Sequence, residues 1–149
     1  MSNIRKTGAN LVLLNDVGTH DATVELAKDM GIIMPNKPSV RLRGYDLNKI
    51  VGGIICKICK KSICICEGSQ APNLRLKNQD EFNRIQKHLH VVSEANQMDK
   101  LAFVTGLSNA NLSNSMIGFT IEDIPALRAS DTAIGIAGCT KDEFVSSAI

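Results

Sequence analysis

The sequence predicts an α/β fold on a parallel sheet of Rossmann type. Three observations carry that expectation: short continuous apolar runs, segments with helical apolar spacing between them, and capping or turn residues at the junctions. Leu11-Val12-Leu13-Leu14, followed by Asn15-Asp16-Val17-Gly18-Thr19, reads as a buried parallel strand and its turn. Residues 21–30 read as a helix, with Asp21 as cap, Val24, Leu26, Ala27 and Met30 as apolar face, and Gly31 at the stop. Asn36, Pro38 and Ser39 mark a loop. Residues 44–79 break the rhythm with Gly52-Gly53, four Cys and the turn-like Gly68-Ser69-Gln70-Ala71-Pro72-Asn73, so they read as a Cys-rich insertion. Regularity returns with Phe82, Ile85 and Leu89 at helical spacing, then Val91-Val92 as a strand. A helix over 100–107 carries Leu101, Phe103, Val104 and Leu107, and a strand covers Met116-Ile117-Gly118-Phe119. Residues 121–129 read as a helix with Pro125 in its first turn, where the missing N–H costs nothing. A small-residue strand over 132–137 and a final helix over 140–148, opened by Thr140 with Asp142 and Glu143, complete the pattern. The organisation is therefore a first βα part (1–43), the insertion (44–79) and further βα units (80–149), with ligands expected beyond the carboxyl ends of the strands.

Composition narrows the function classes. The 149 residues suit one domain. With no Trp, one Tyr and four Phe, the core rests on aliphatic side chains, and the stacking platforms of a single-strand nucleic-acid binder are missing. A formal charge of +2 is too small to imply a polyanion partner. No apolar run approaches the roughly 18 residues of a membrane span. The expectation is a soluble chain on the cytoplasmic side of a membrane or organelle, with Cys as thiols or metal ligands rather than disulfides.

Three motifs in order then point to a family. Gly118-Phe119-Thr120-Ile121-Glu122-Asp123-Ile124-Pro125-Ala126-Leu127, with Asp131 beyond, resembles the hinge motif of P-type ATPases, written G-D-G-x-N-D-x-P-A-L. Gly135-Ile136-Ala137-Gly138 resembles the G-I-A-G of plasma-membrane-type calcium pumps, at a spacing about two residues shorter. Met98-Asp99-Lys100-Leu101-Ala102-Phe103-Val104-Thr105-Gly106-Leu107 is similar to the family's P-x-D-K-x-x-L-V-x-G-L. Residues 8–33, ending in Ala27-Lys28 and Gly31-Ile32-Ile33, resemble its strand and helix before that motif. The resemblance spans nearly the whole chain and implies the second half of a phosphorylation domain, an HAD-type Rossmann-like sheet.

Its departures matter as much. The phosphorylated Asp of D-K-T-G-T does not occur in these residues. Phe119 stands where the family has a Mg²⁺-binding Asp, and a phenyl ring offers no oxygen to a cation that demands oxygen ligands. Glu122 replaces an Asn, Asn15-Asp16-Val17 stands near the family's T-G-D without aligning cleanly, and Glu94 and Gln97 replace an Arg and a Pro. Lys100, a phosphoryl contact in the family, and Asp123 are retained as remnants. A lone Lys is more often a solvated surface charge, and Asp123 is also placed to cap the following helix.

Cys56, Cys59, Cys64 and Cys66 form C-x2-C-x4-C-x-C, and four thiolates suit structural zinc. The alternatives are an apolar hairpin of alternating Ile and Cys, or an iron–sulfur or redox pair. Cys139 reads as a core thiol, His88 and His90 as a weak metal pair, and His20 as a residue of the ligand-side loop. The expected function is a non-catalytic calcium-pump-like domain acting as a structural or interaction module with protein partners. The competing expectation is part of a calcium-transporting ATPase using Mg²⁺ and ATP, with the phosphorylated Asp on another segment. The absent first strand leaves a sheet edge that calls for covering.

Overall fold

Apolar runs bounded by Asn, Asp and Ser become short strands in the computed structural model, which describes residue 4 and residues 6–62 and 73–136. In chain order the strands are β1 (Leu13–Leu14), β2 (Val40–Arg43), β3 (Ile54–Cys56), β4 (Leu74–Leu76), β5 (Leu89–Ser93), β6 (Ser115–Gly118) and β7 (Thr132–Gly135). The helices are α1 (His20–Asp29), α2 (Gly44–Val51), α3 (Gln79–Ile85), α4 (Gln97–Asn109) and α5 (Ile124–Ala129). The molecule is thus mixed α/β with small sheets. One is parallel, in the order β1-β5-β2; β3 and β4 pair antiparallel; β6 and β7 pair parallel.

Strand periodicity distributes the core. Leu13 and Val91 point to one face of the parallel sheet, where Val24 and Ala27 of α1 pack on them with Ile32 and Ile33. Leu14 and Val92 point to the other face, against Leu47 and Val51 of α2, Phe82 of α3, and Leu101 and Phe103 of α4. Leu89, Val91 and Val92 are fully buried, with half-buried His90 between them, as befits the central strand of the sheet. A third cluster joins Val104 of α4 to Met116 of β6 and to Ala126 and Leu127 of α5. No helix among the described residues is long and apolar enough to cross a membrane.

Local chemistry sets the boundaries. Thr19, not Asp21, caps α1: its hydroxyl accepts the Ala22 amide, and Asp21 sits in the first turn. Gly31 takes φ 68°, the left-handed conformation that ends the segment. Asn78 caps α3, and Asn96 with Asp99 forms a reciprocal capping box that starts α4 three residues earlier than periodicity suggested. A 3-10 turn over Ile121–Asp123 precedes α5, whose Pro125 lies in its first turn.

The reading of residues 44–79 as irregular missed α2, whose Leu47 and Val51 are fully buried in the main core. It also missed β2 just before it, whose alternation of half-buried Val40 and Leu42 with exposed Arg41 and Arg43 is the signature of a strand at a sheet edge. Leu47, Ile50 and Val51 do carry helical spacing, but the helix has only eight residues and Gly52-Gly53 follow it directly. Within that stretch a hairpin exists, but it pairs Cys56 with Leu74. Cys64, Cys66, Cys139 and the expected helix over 140–148 lie outside the described residues.

Candidate functional site at the carboxyl ends of the strands

Two loops and one helix start converge beyond the strand ends. Asp16 follows β1, Lys100 lies in the first turn of α4 just past β5, and Asp123 ends the 3-10 turn after β6. Lys100 Nζ donates to Asp16 Oδ2 at 2.9 Å and to Asp123 Oδ1 at 2.8 Å. Lys100 is 4% exposed and Asp123 5%. The Lys is therefore no solvated surface charge: its stem runs through the packed interface of α4 and its head is closed by two carboxylates. Asp123 also accepts the Phe119 and Thr120 amides on Oδ2, at 2.9 and 3.1 Å, so it closes the 3-10 turn before α5 while bonding Lys100; it makes no side-chain cap hydrogen bond to α5, the helix the sequence suggested it would cap.

Electrostatics follow from that geometry. Burial works to lower the Lys100 pKa, but hydrogen bonds to Asp123 and Asp16 outweigh it and hold the ammonium above its ordinary value. Burial likewise raises the Asp123 carboxyl, and the Lys100 hydrogen bond with the Phe119 and Thr120 amides brings it below the ordinary value. Lys100 and Asp123 are therefore charged at neutral pH, and the ammonium faces two carboxyl groups. A phosphoryl group arriving here would meet a cation whose charge is already offset.

Neighbouring contacts knit the loops together. His20 Nδ1 lies 2.6 Å from Ser93 Oγ, which itself lies 3.4 Å from the Leu42 carbonyl oxygen. Asn15 Nδ2 donates to the Val17 carbonyl at 2.7 Å and to Thr23 Oγ1 at 3.0 Å. His20 thus holds the turn after β1 to the end of β5. Phe119, directly after β6, is 51% exposed. Among the described residues no group of three or more His, Cys, Asp and Glu could hold a metal ion.

The sequence singled out Lys100 and Asp123, and the structure brings them together. It did not assign Asp16 or Ser93 to the site. The available signal was position: each stands at the carboxyl end of a buried strand, where sites of α/β folds assemble.

Cys56 and Cys59 lie away from this centre. Cys56 ends β3 and is buried; Cys59 is half-buried. The Cys59 amide, then the Ile58 amide and the Cys59 thiol, hydrogen-bond the Cys56 sulfur and pull its pKa down against the effect of burial, with the Lys60 charge adding to them. Lys60 takes a left-handed φ of 62° and its amide donates to the Cys56 carbonyl at 3.0 Å, closing the turn that aims these amides at sulfur. His90 Nδ1 is occupied by the His88 carbonyl at 2.8 Å, an arrangement that turns one ring nitrogen away from metal binding.

Compared with models of known protein families and with curated proteins, the chain matches none of them.

Proposed function

We propose that this chain is a non-catalytic domain of the P-type calcium ATPase kind, HAD-type and Rossmann-like, that serves as a structural or protein-interaction module of a larger assembly. The observation that carries the reading is Lys100 held between Asp16 and Asp123. Phosphoryl transfer rests on positive charge aimed at a transferring group, and here that charge is committed to two protein carboxylates. Phe119 adds a second obstacle by supplying no metal ligand. An interaction role is supported by an apolar strip on the β6–β7 sheet. Ile117 and Ile134 are direct cross-strand partners, with Phe119 and Ile136 one step along, and all four are about half exposed.

Calorimetric titration of the full chain with Mg²⁺ and beryllium fluoride or aluminium fluoride tests this. No saturable heat is expected. Saturable Mg²⁺-dependent binding would overturn it and favour the competing reading, part of a calcium-transporting ATPase with ATP and the phosphorylated Asp provided by another segment; the convergence of Lys100 and Asp123 at the strand ends is the observation on that side.

We also propose structural zinc at Cys56 and Cys59, with Cys64 and Cys66 completing four thiolates. Backbone amides pointing at the Cys56 sulfur favour its thiolate, the form that binds metal. Elemental analysis of the purified chain is expected to give about one zinc per chain, falling by about half or more in Cys56→Ser. A zinc-free chain that remains folded would defeat this assignment.

A further inference from the structure

We propose that the groove between the outer face of the β3–β4 hairpin and the last turn of α4 binds a small phosphate ester of a sugar or polyol. The site goes beyond the reading of the chain as an interaction module and does not depend on it, since it shares no residue with the Lys100 cluster.

Strand alternation builds it. Ile54, Cys56 and Leu76 turn to the core and are buried, so Ile55, Lys57 and Arg75 share the opposite face of the hairpin, with Ile55 and Arg75 directly paired across the strands. Lys77, two residues beyond Arg75, continues that row. Its stem lies against Gly52, where an added Cβ would stand 3.1 Å from the Lys77 Cβ. Lys57, Arg75 and Lys77 line a cavity of about 510 Å³ with Gln79, the first residue of α3, and Asn109, the last of α4. That volume suits a small ligand. Among the described residues, no Asp or Glu lines the cavity and none of the three cations has a carboxylate partner. Like charges side by side on one strand face repel, and a bound anion relieves that repulsion.

Two amides add direction. Gln79 Nε2 donates to Asn83 Oδ1 and to the Gly106 carbonyl, both at 2.9 Å, which leaves Gln79 Oε1 as an acceptor beside the last turn of α4. An ammonium can only donate, so the 3.3 Å contact from Lys57 Nζ fixes Asn109 Oδ1 and leaves Nδ2 as a donor. Gln79 Oε1 and Asn109 Nδ2 are both buried and without a hydrogen-bond partner among the described residues. Buried polar atoms are ordinarily paired, so two unpaired ones at one groove point to a ligand. The Lys57 bond is longer than the ordinary range, and an anion that draws Lys57 to itself uncovers the Asn109 amide.

The ligand's chemistry follows. Three cations with no acid suit a group of high charge, and a phosphate monoester carries about −1.5 to −2 near pH 7 where a carboxylate carries one. The Arg75 guanidinium grips such a group with two parallel N–H donors. Asn109 Nδ2 supplies a further donor to an oxygen, and Gln79 Oε1 calls for a hydroxyl on the ligand. A phosphorylated sugar or polyol carries both.

The test is calorimetric titration of the full chain, without Mg²⁺, with fructose 1,6-bisphosphate and with glucose 6-phosphate. Saturable binding is expected, about tenfold or more tighter than that of sulfate, which has the charge and no hydroxyl. Unphosphorylated fructose is expected not to bind. Arg75→Gln and Asn109→Asp are each expected to weaken binding about tenfold or more; the Asp keeps the Lys57 contact and turns a donor into a repelling oxygen. Lys87→Gln, which removes an exposed charge outside the groove, is expected to change affinity by less than about twofold. The Asn109 side-chain amide signals are expected to shift as either ester binds. No saturable binding of either ester, sulfate binding as tight as theirs, equal weakening in Lys87→Gln, or unmoved Asn109 signals would each overturn the proposal. So would binding to phosphatidylcholine vesicles containing phosphatidylinositol 4-phosphate without binding of the free esters, which would place the phosphate on a membrane surface. Omitting Mg²⁺ keeps this result apart from phosphate-mimic binding at the Lys100 cluster, so either reading can fail while the other stands.

Discussion

Lys100→Met is expected to cost about 3–5 kcal/mol of unfolding free energy near neutral pH, the loss incurred when one partner of a buried ion pair is removed. Met keeps most of the stem's volume among the residues around α4, so the deficit isolates the charge. Asp123 is left buried with its two amide donors and no cation, and Asp16 loses its contact with the helix. The pH dependence identifies the cause. In the native chain the Asp123 carboxyl is held below its ordinary 3.8, so its stabilisation is complete above that value and is lost as pH falls through the depressed one. The Lys100 ammonium is held above its ordinary 10.5, so its stabilisation is complete below that value and is lost as pH rises through the raised one. The pair therefore contributes in full between those limits. In Lys100→Met, burial acts on Asp123 without the counter-charge and raises its carboxyl, so the deficit shrinks towards about pH 4, where protonation relieves the buried charge. Urea melts at about pH 7 and about pH 4 read this directly. An equal deficit at both would show that lost packing, not charge, destabilises the variant.

Phe82→Ala is expected to cost a comparable amount, about 3–5 kcal/mol, through lost transfer energy and a cavity. Phe82 is the largest of the fully buried side chains and meets Phe103 edge to face at 5.8 Å. It also explains a glycine inside α4. A Cβ on Gly106 would stand 2.7–2.8 Å from three ring carbons of Phe82, which has no room to move. Gly106→Ala in the native chain thus gains about 1 kcal/mol of helix propensity and loses about 1–3 kcal/mol to overpacking, a net destabilisation. In the Phe82→Ala background the ring is gone, and the same change becomes stabilising. A double-mutant cycle by thermal or urea melts measures the reversal, and additive effects would refute the contact.

The Lys100 cluster lies where it does because of topology. Helices on opposite faces carry the chain in opposite directions from β5 and β1, and loops diverge where the direction changes. In a catalytic α/β protein that divergence opens a ligand crevice. Here two carboxylates and an ammonium meet at the carboxyl ends of the strands.

Much of this fold was legible in the residues. The run of Leu11 to Leu14, the Val91-Val92 pair, the helical spacing of Leu101, Phe103 and Val104, and Pro125 in a first turn each encode structure within a few positions. Periodicity and capping are local, so sequence alone determined the class, the alternation of elements and the apolar positions. It also marked Lys100 and Asp123 as the residues to watch. Tertiary structure decided the rest. Whether Lys100 faces water or two carboxylates depends on Asp16, 84 residues away in the chain, and on Asp123, 23 away. Whether residues 44–51 join the main core depends on the face of β5 that Leu47 and Val51 meet. Burial and charge pairing are properties of distances between elements, and a linear order of residues fixes those distances only once the elements have packed.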